Sequence, residues 1–219
     1  VFYHSRRGQV LRTVPRENEA VNECWLSDRD RYSHQGLYAD DRAVKPLQKV
    51  DGEWREVSWA EGLAAAAGIL RANRGDSLGM LVHPAVSNEE GGLLAKLAAG
   101  LDTGNLDHRI NNRDFSDGAV AEPFALPLAE IEQADVIVLF GTNLRHELPL
   151  LHQRIRKAVR TGAKVHVVNP VDFDFAFGIA GKHIVAPSKL GDALNASALR
   201  DVAKVANRAV VIVGGIVEN

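Results

Sequence analysis

Two short polar stretches are the places where this sequence could hold a ligand. Gly141-Thr142-Asn143-Leu144-Arg145 follows an apolar run ending at Phe140, and Asn169-Pro170 follows another ending at Val168. Ligands of open α/β sheets bind at the carboxyl ends of the strands, which is where both stretches fall. Gly141 lets a ligand approach the backbone closely, Asn143 both donates and accepts, and a helix start just beyond favours an anion. That chemistry suits a nucleotide. The stretch is neither Gly-x-Gly-x-x-Gly nor a Walker loop with its lysine, so the generic dinucleotide signature is weak here. The alternative is that Gly141, Thr142, Asn143 and Asn169 serve only the turns and their caps.

The remaining candidates have plainer readings. His146-Glu147-Leu148-Pro149-Leu150-Leu151-His152 superficially resembles a zinc protease motif, but its histidines are six residues apart instead of four, about 240° around a helix. Two surface histidines are expected there, and no metal site. Asp107, His108 and Asp114 could act as acid and base, yet no nucleophile at a fixed spacing accompanies them, so a polar anchor for a long loop is expected. Arg74-Gly75-Asp76-Ser77 reads as a turn, and the sequon Asn195-Ala196-Ser197 has meaning only on a secretory route. Cys24 is the only cysteine, which excludes an internal disulfide and any metal or iron–sulfur site built from several thiolates of this chain. No catalytic residue is assigned.

The elements that must position these groups alternate. Gln9 to Val14 is a short strand stopped by Pro15, and Asn22 to Ser33 forms one or two helical turns carrying Asp28-Arg29-Asp30-Arg31. Leu47 to Val57 is a hairpin around Asp51-Gly52. Ser58 with Glu61 and Ser87 with Glu90 are capping boxes that open helices running to about Asn73 and Gly100. Between them Leu78 to Val82 reads as a buried strand, and Leu101 to Pro127 as a long irregular stretch. A short helix to Gln133, strands at Val136 to Phe140 and Lys164 to Val168, and a helix from about Glu147 to Arg160 follow. Leu148, Leu151, Ile155 and Val159 form that helix's apolar stripe, and Arg154, Arg156, Lys157 and Arg160 crowd its last turns. His183 to Ala186, a helix around Ser197 to Ala206 and a strand at Ala209 to Val213 complete the pattern.

Continuous apolar strands separated by amphipathic helices predict an α/β fold: a Rossmann-like parallel sheet with helices on both faces, preceded by a small irregular β-containing N-terminal subdomain. Val136 to Phe140 is expected at the sheet's centre, flanked by Leu78 to Val82 and Lys164 to Val168. The domain reading is 1–45 and 46–219. The 219 residues, 46% hydrophobic and 25% charged, are enough for a core, and a net charge of -2 argues against a dedicated nucleic-acid partner. No apolar run approaches the roughly 18 residues of a membrane-spanning helix, so no direct membrane insertion is expected. The start lacks an apolar signal-peptide region and the chain begins without Met, which suggests a reducing compartment and a piece of something longer.

Several stretches together resemble the molybdopterin oxidoreductase superfamily. Lys45-Pro46-Leu47 to Trp54, with Val57-Ser58-Trp59-Ala60-Glu61, is similar to the segment joining that family's small iron–sulfur subdomain to its first large α/β domain. Ala134-Asp135-Val136 through Gly141-Thr142-Asn143, Arg154 to Ala158, and Gly162-Ala163-Lys164 to Asn169-Pro170 resemble its pterin-nucleotide half-site. Pro15-Arg16-Glu17-Asn18, Asn22 to Arg31, Asn105 to Arg109 and Gly141 to Pro149 are similar to the large iron–sulfur subunits of bacterial NADH:quinone oxidoreductase, respiratory complex I.

The resemblance implies a subunit of an enzyme that passes electrons from NADH through iron–sulfur clusters to quinone, coupled to proton translocation, at the cytoplasmic side of the bacterial inner membrane. Many relatives carry a cluster-ligating cysteine directly before the Asp-Arg pair, where Ser27 stands, and Cys24 has no Cys-x-x-Cys partner upstream. The implied clusters therefore lie in preceding segments, and this piece carries no cofactor of its own. It is a scaffold whose partners are the remainder of the polypeptide and other subunits of the peripheral arm. Gly141, Thr142, Asn143 and Asn169 then line a vestigial pterin-nucleotide crevice. The other readings are part of a catalytic molybdopterin enzyme, of the formate dehydrogenase or nitrate reductase type, and a free-standing nucleotide-binding module.

Overall fold

The computed structural model describes residues 1–108 and 126–217, which fall into two compact units: Val1–Gly36 with Arg113–Asn219, and Leu37–Asn112. The first opens with an antiparallel hairpin of β1 (Phe2–Arg6) and β2 (Gln9–Val14), turned through Arg7 and Gly8 at positive φ. The sequence reading found β2 but not β1, whose residues are all exposed and carry no apolar alternation. After an irregular stretch, α1 (Asp28–Tyr32) begins at Ser27, whose hydroxyl caps it by accepting from the Asp30 amide.

In the second unit β3 (Leu47–Val50) and β4 (Glu53–Glu56) form the expected hairpin, with Asp51 and Gly52 both at positive φ. Both capping boxes are present: Ser58 and Glu61 open α2 (Trp59–Ala72), and Ser87 and Glu90 open α3 (Asn88–Gly100). Between these helices β5 (Met80–Leu81) is two residues long and pairs in parallel with β6 (Leu106–Asp107). This corrects the expected long, buried strand beside Val136 to Phe140: Leu81 is 71% exposed. Gly79 and the turn Gly75–Ser77 leave room for only a short extended piece. The expected irregular stretch from Leu101 contains β6, and its residues 109–125 lie outside the described residues.

The main sheet belongs to the first unit. Its strands are β7 (Val136–Phe140), β8 (Lys164–Asn169), β9 (Gly181–Ile184) and β10 (Ala209–Val213), all parallel, in the order β10-β7-β8-β9. β7 is central, with four of its five residues buried, as its continuous apolar run requires. Its second neighbour is β10, not Leu78 to Val82. Helices cover both faces. Ile137, Leu139, Val165 and Val167 pack with Leu151 and Ile155 of α5 (Pro149–Arg160) on one side. On the other, Val136, Val138 and Val168 meet Leu190 of α6 (Leu190–Leu194) and Leu199 of α7 (Ser197–Val205).

The helix expected from about Glu147 to Arg160 is α5, and a further short helix precedes it. A short α4 (Leu144–Glu147) ends at Leu148, and Pro149 starts α5 where its missing N–H costs nothing. Leu148 therefore drops off the apolar stripe and is 55% exposed. The chain steps outward from β7 to β8 to β9 and then returns to the other side of β7 as β10. The strand order thus reverses between β7 and β10, the position at which open α/β sheets form their ligand crevices.

Candidate functional site

The structure brings the four sequence-predicted residues together at that reversal. Gly141 follows β7 at φ 61°, and its amide donates to the Val168 carbonyl over 2.9 Å. Thr142 and Asn169, both fully buried, exchange two hydrogen bonds: the Thr142 amide donates to Asn169 Oδ1 (2.8 Å), and Asn169 Nδ2 donates to the Thr142 carbonyl (2.9 Å). An asparagine at the end of β8 is suited to this role because its amide presents a donor and an acceptor at once.

Glu147, which the sequence reading left unassigned, closes the loop from the other side. Its Oε1 accepts from the Asn143 amide at 2.6 Å and its Oε2 from the Thr142 hydroxyl at 3.0 Å. The signal was available in the spacing, since a carboxylate four residues after Asn143 lies one helical turn along. After β10 the chain folds back over the loop. The Gly214 amide donates to the Phe140 carbonyl and the Ile216 amide to the Gly141 carbonyl. A Cβ on Gly141 would stand 2.2 Å from a Val217 methyl.

A second polar assembly lies at the buried face of α5. The Arg154 side chain is 6% exposed, and its guanidinium contacts Glu132 at 2.6 Å and Glu23 at 3.6 Å. It also donates to the carbonyls of Glu19 (2.9 Å) and Val21 (3.1 Å). Lys157 adds ion pairs to Glu23 and, at 3.3 Å, to Glu132. The hydrogen bond from Lys157 holds the Glu23 carboxyl below the usual carboxylate range, and the same bond raises Lys157. The sequence reading places Arg154 among the cations that suit the dipole at the helix's last turns. It missed the burial because the groups that satisfy the guanidinium are backbone carbonyls more than 130 residues away.

The expectation of two surface histidines holds for His146, which is exposed, and fails for the other. His152 is buried, stacks on Phe177 at 4.8 Å and donates from Nε2 to the Phe175 carbonyl. Burial pushes its pKa down, which disfavours the charged ring. Asp107 and His108 line a cavity of about 410 Å³ in the second unit together with His83, and Asp107 Oδ1 accepts from the His108 amide. Asp114 lies outside the described residues. Asn105 anchors its own stretch, donating to the carbonyls of Asp76 and Leu78. Arg74 to Ser77 is the turn it was expected to be.

Residues 42–219, most of the chain, match the family described as molybdopterin oxidoreductase. The chain belongs to the molybdopterin oxidoreductase family. Within this family member, residues 1–35 match a second family, the NADH-ubiquinone oxidoreductase NDSU1/NuoG-like 4Fe-4S domain. The chain is 33% identical over 162 residues to an NADH-quinone oxidoreductase subunit of Rickettsia felis, covering 73% of this chain and 24% of that protein. It is 32% identical over 186 residues to the NADH-ubiquinone oxidoreductase 75 kDa subunit of Reclinomonas americana, covering 76% and 26%. It therefore spans about a quarter of the length of the curated relatives it matches.

Two groups implied by these matches can be tested against the residues present. A 4Fe–4S cluster takes four ligands, normally thiolates, whereas the chain offers the single exposed Cys24, so its residues do not complete such a site. A pterin nucleotide would present phosphate to the loop after β7. There the Thr142 and Asn143 amides and the Thr142 hydroxyl already have partners within the chain, and Val217 takes the space beside Gly141. These groups, so occupied, do not fit a phosphate. No helix among the described residues is long and apolar enough to cross a membrane.

Proposed function

We propose that this chain is the scaffold portion of a subunit of an NADH:quinone oxidoreductase, tying the iron–sulfur stretch of that subunit to its parallel sheet and α5. The observation that carries the reading is the Arg154 assembly. It ties Glu19, Val21 and Glu23, inside the stretch matching the 4Fe-4S domain, to Glu132, Arg154 and Lys157, inside the stretch matching molybdopterin oxidoreductase. Relatives named as NADH-quinone oxidoreductase subunits support it.

In this reading residues 1–45 are the remnant of an iron–sulfur subdomain and 46–219 the molybdopterin-oxidoreductase-like domain. Clusters sit in the upstream part of the full-length subunit, and this stretch carries no redox centre. The partners are the remainder of the polypeptide and the other subunits of the peripheral arm, on the cytoplasmic side of the bacterial inner membrane. Gly141, Thr142, Asn143 and Asn169 are what remains of a pterin-nucleotide crevice.

The test is affinity purification of the tagged full-length protein from its native membranes. Co-purification of NADH:quinone reductase activity, with iron and without molybdenum, is expected. Recovery of a separate protein containing molybdenum would overturn the reading in favour of a catalytic molybdopterin enzyme.

A further inference from the structure

We propose that Glu147 is an internal anion: its carboxylate takes the position that the phosphate of a bound nucleotide would take, so the crevice is closed by the chain's own groups. The inference deepens the scaffold reading and rests on it. At the strand reversal of a parallel sheet, the loop after the central strand offers backbone amides and a hydroxyl, which an anion satisfies. Here one carboxylate bridges the two donors that such an anion would use. The Asn143 amide is 2.6 Å from one oxygen and the Thr142 hydroxyl 3.0 Å from the other.

The third donor, the Thr142 amide, is held by Asn169, which is fully buried and tied to the same residue by a return bond. No loop donor among these is left facing outward. The approach is closed as well, because the turn after β10 is pinned to the loop and Val217 lies against Gly141. A nucleotide would have to displace a covalently tethered carboxylate, whose effective concentration for donors four and five residues before it is far above that of any dissolved phosphate.

The experiment titrates inorganic pyrophosphate and GDP into the isotope-labelled 219-residue chain and reads the Thr142 and Asn143 amide resonances. Neither ligand is expected to produce saturable shifts there below about 1 mM. In Glu147→Ala the same amides should gain saturable pyrophosphate shifts, with affinity at least roughly tenfold above the parent. Glu147→Gln preserves the side chain's shape. It should speed hydrogen exchange at Asn143 by about tenfold through loss of the charged acceptor, and this readout serves if the alanine variant does not fold. Saturable binding by the parent at these amides would overturn the proposal. So would a folded Glu147→Ala that binds no better, or unchanged exchange at Asn143 in Glu147→Gln. None of these results bears on the co-purification and metal content that test the scaffold reading, so the two can fail separately.

Discussion

Arg154 Nη1 lies 2.6 Å from Glu132 Oε1 with only 6% of the arginine side chain exposed, so one buried guanidinium organises the contact between α5 and residues 19–23. Arg154→Ala leaves the carbonyls of Glu19 and Val21 and part of the Glu23 and Glu132 charge without a partner. The expected loss is about 3 kcal/mol or more of unfolding free energy. Arg154→Lys keeps the charge but not the fork of donors, and a loss of about 1–2 kcal/mol is expected. Urea unfolding of the three proteins measures both; equal midpoints would show that the assembly does not hold these parts together.

Acid should weaken the same contact. The Glu23 carboxyl is held below its unfolded value, first by the hydrogen bond from Lys157, so its contribution is complete above the unfolded carboxylate pKa. That contribution disappears as pH falls through the lower folded value. Glu23→Gln should flatten this acid limb when stability is followed by denaturant titration from neutral pH downward.

His152 adds a second pH dependence at a higher range. Burial lowers its pKa in the folded state, so the unfolded chain binds the proton more readily. Stability is therefore full above about pH 6.5 and declines as pH falls below it. An imidazole resonance that titrates at or above the value of a free histidine would refute this.

The central strand is the least tolerant of charge. Val138 is 5% exposed between the sheet and the α6–α7 layer, and Val138→Asp should cost several kcal/mol by burying an unpaired carboxylate. A variant that melts like its parent would mean that the strand is not buried.

Gly214 marks the point where the chain after β10 crosses the loop after β7. A Cβ there would stand 2.3 Å from Thr142 Cβ and 2.7 Å from the Gly141 carbonyl oxygen, so backbone would have to move. Gly214→Ala is expected to cost about 1–3 kcal/mol and to release the Ile216 amide to faster hydrogen exchange.

Local chemistry was legible in the sequence wherever local chemistry decided the structure. The two Ser-x-x-Glu boxes, the Asp51-Gly52 turn and the run Val136 to Phe140 each fix their element within a few residues, and each is where it was expected. What escaped depends on distant groups. Leu78 to Val82 has the composition of a core strand, but the strand is only Met80–Leu81, and its pairing partner is Leu106–Asp107. At the site, the four loop residues were legible from strand ends and residue types. Glu147 was legible only as a carboxylate four residues after Asn143, and the spacing alone does not say that it bonds that residue's amide. Arg154 was hidden because charge placement near a helix end usually reads as solvation.

β10 is an outer strand of the four-stranded sheet, and Val211 and Val213 are 53% and 59% exposed. Among the described residues no further strand pairs with its outer rim, and such a rim beside bare valines is a template for further strands, whether from its own polypeptide or from another copy. Produced by itself, this chain should be colloidally fragile, with a solubility limit set by its rim and not by the strength of its core. A lysine in place of Val211 would raise that limit without making the domain any harder to unfold.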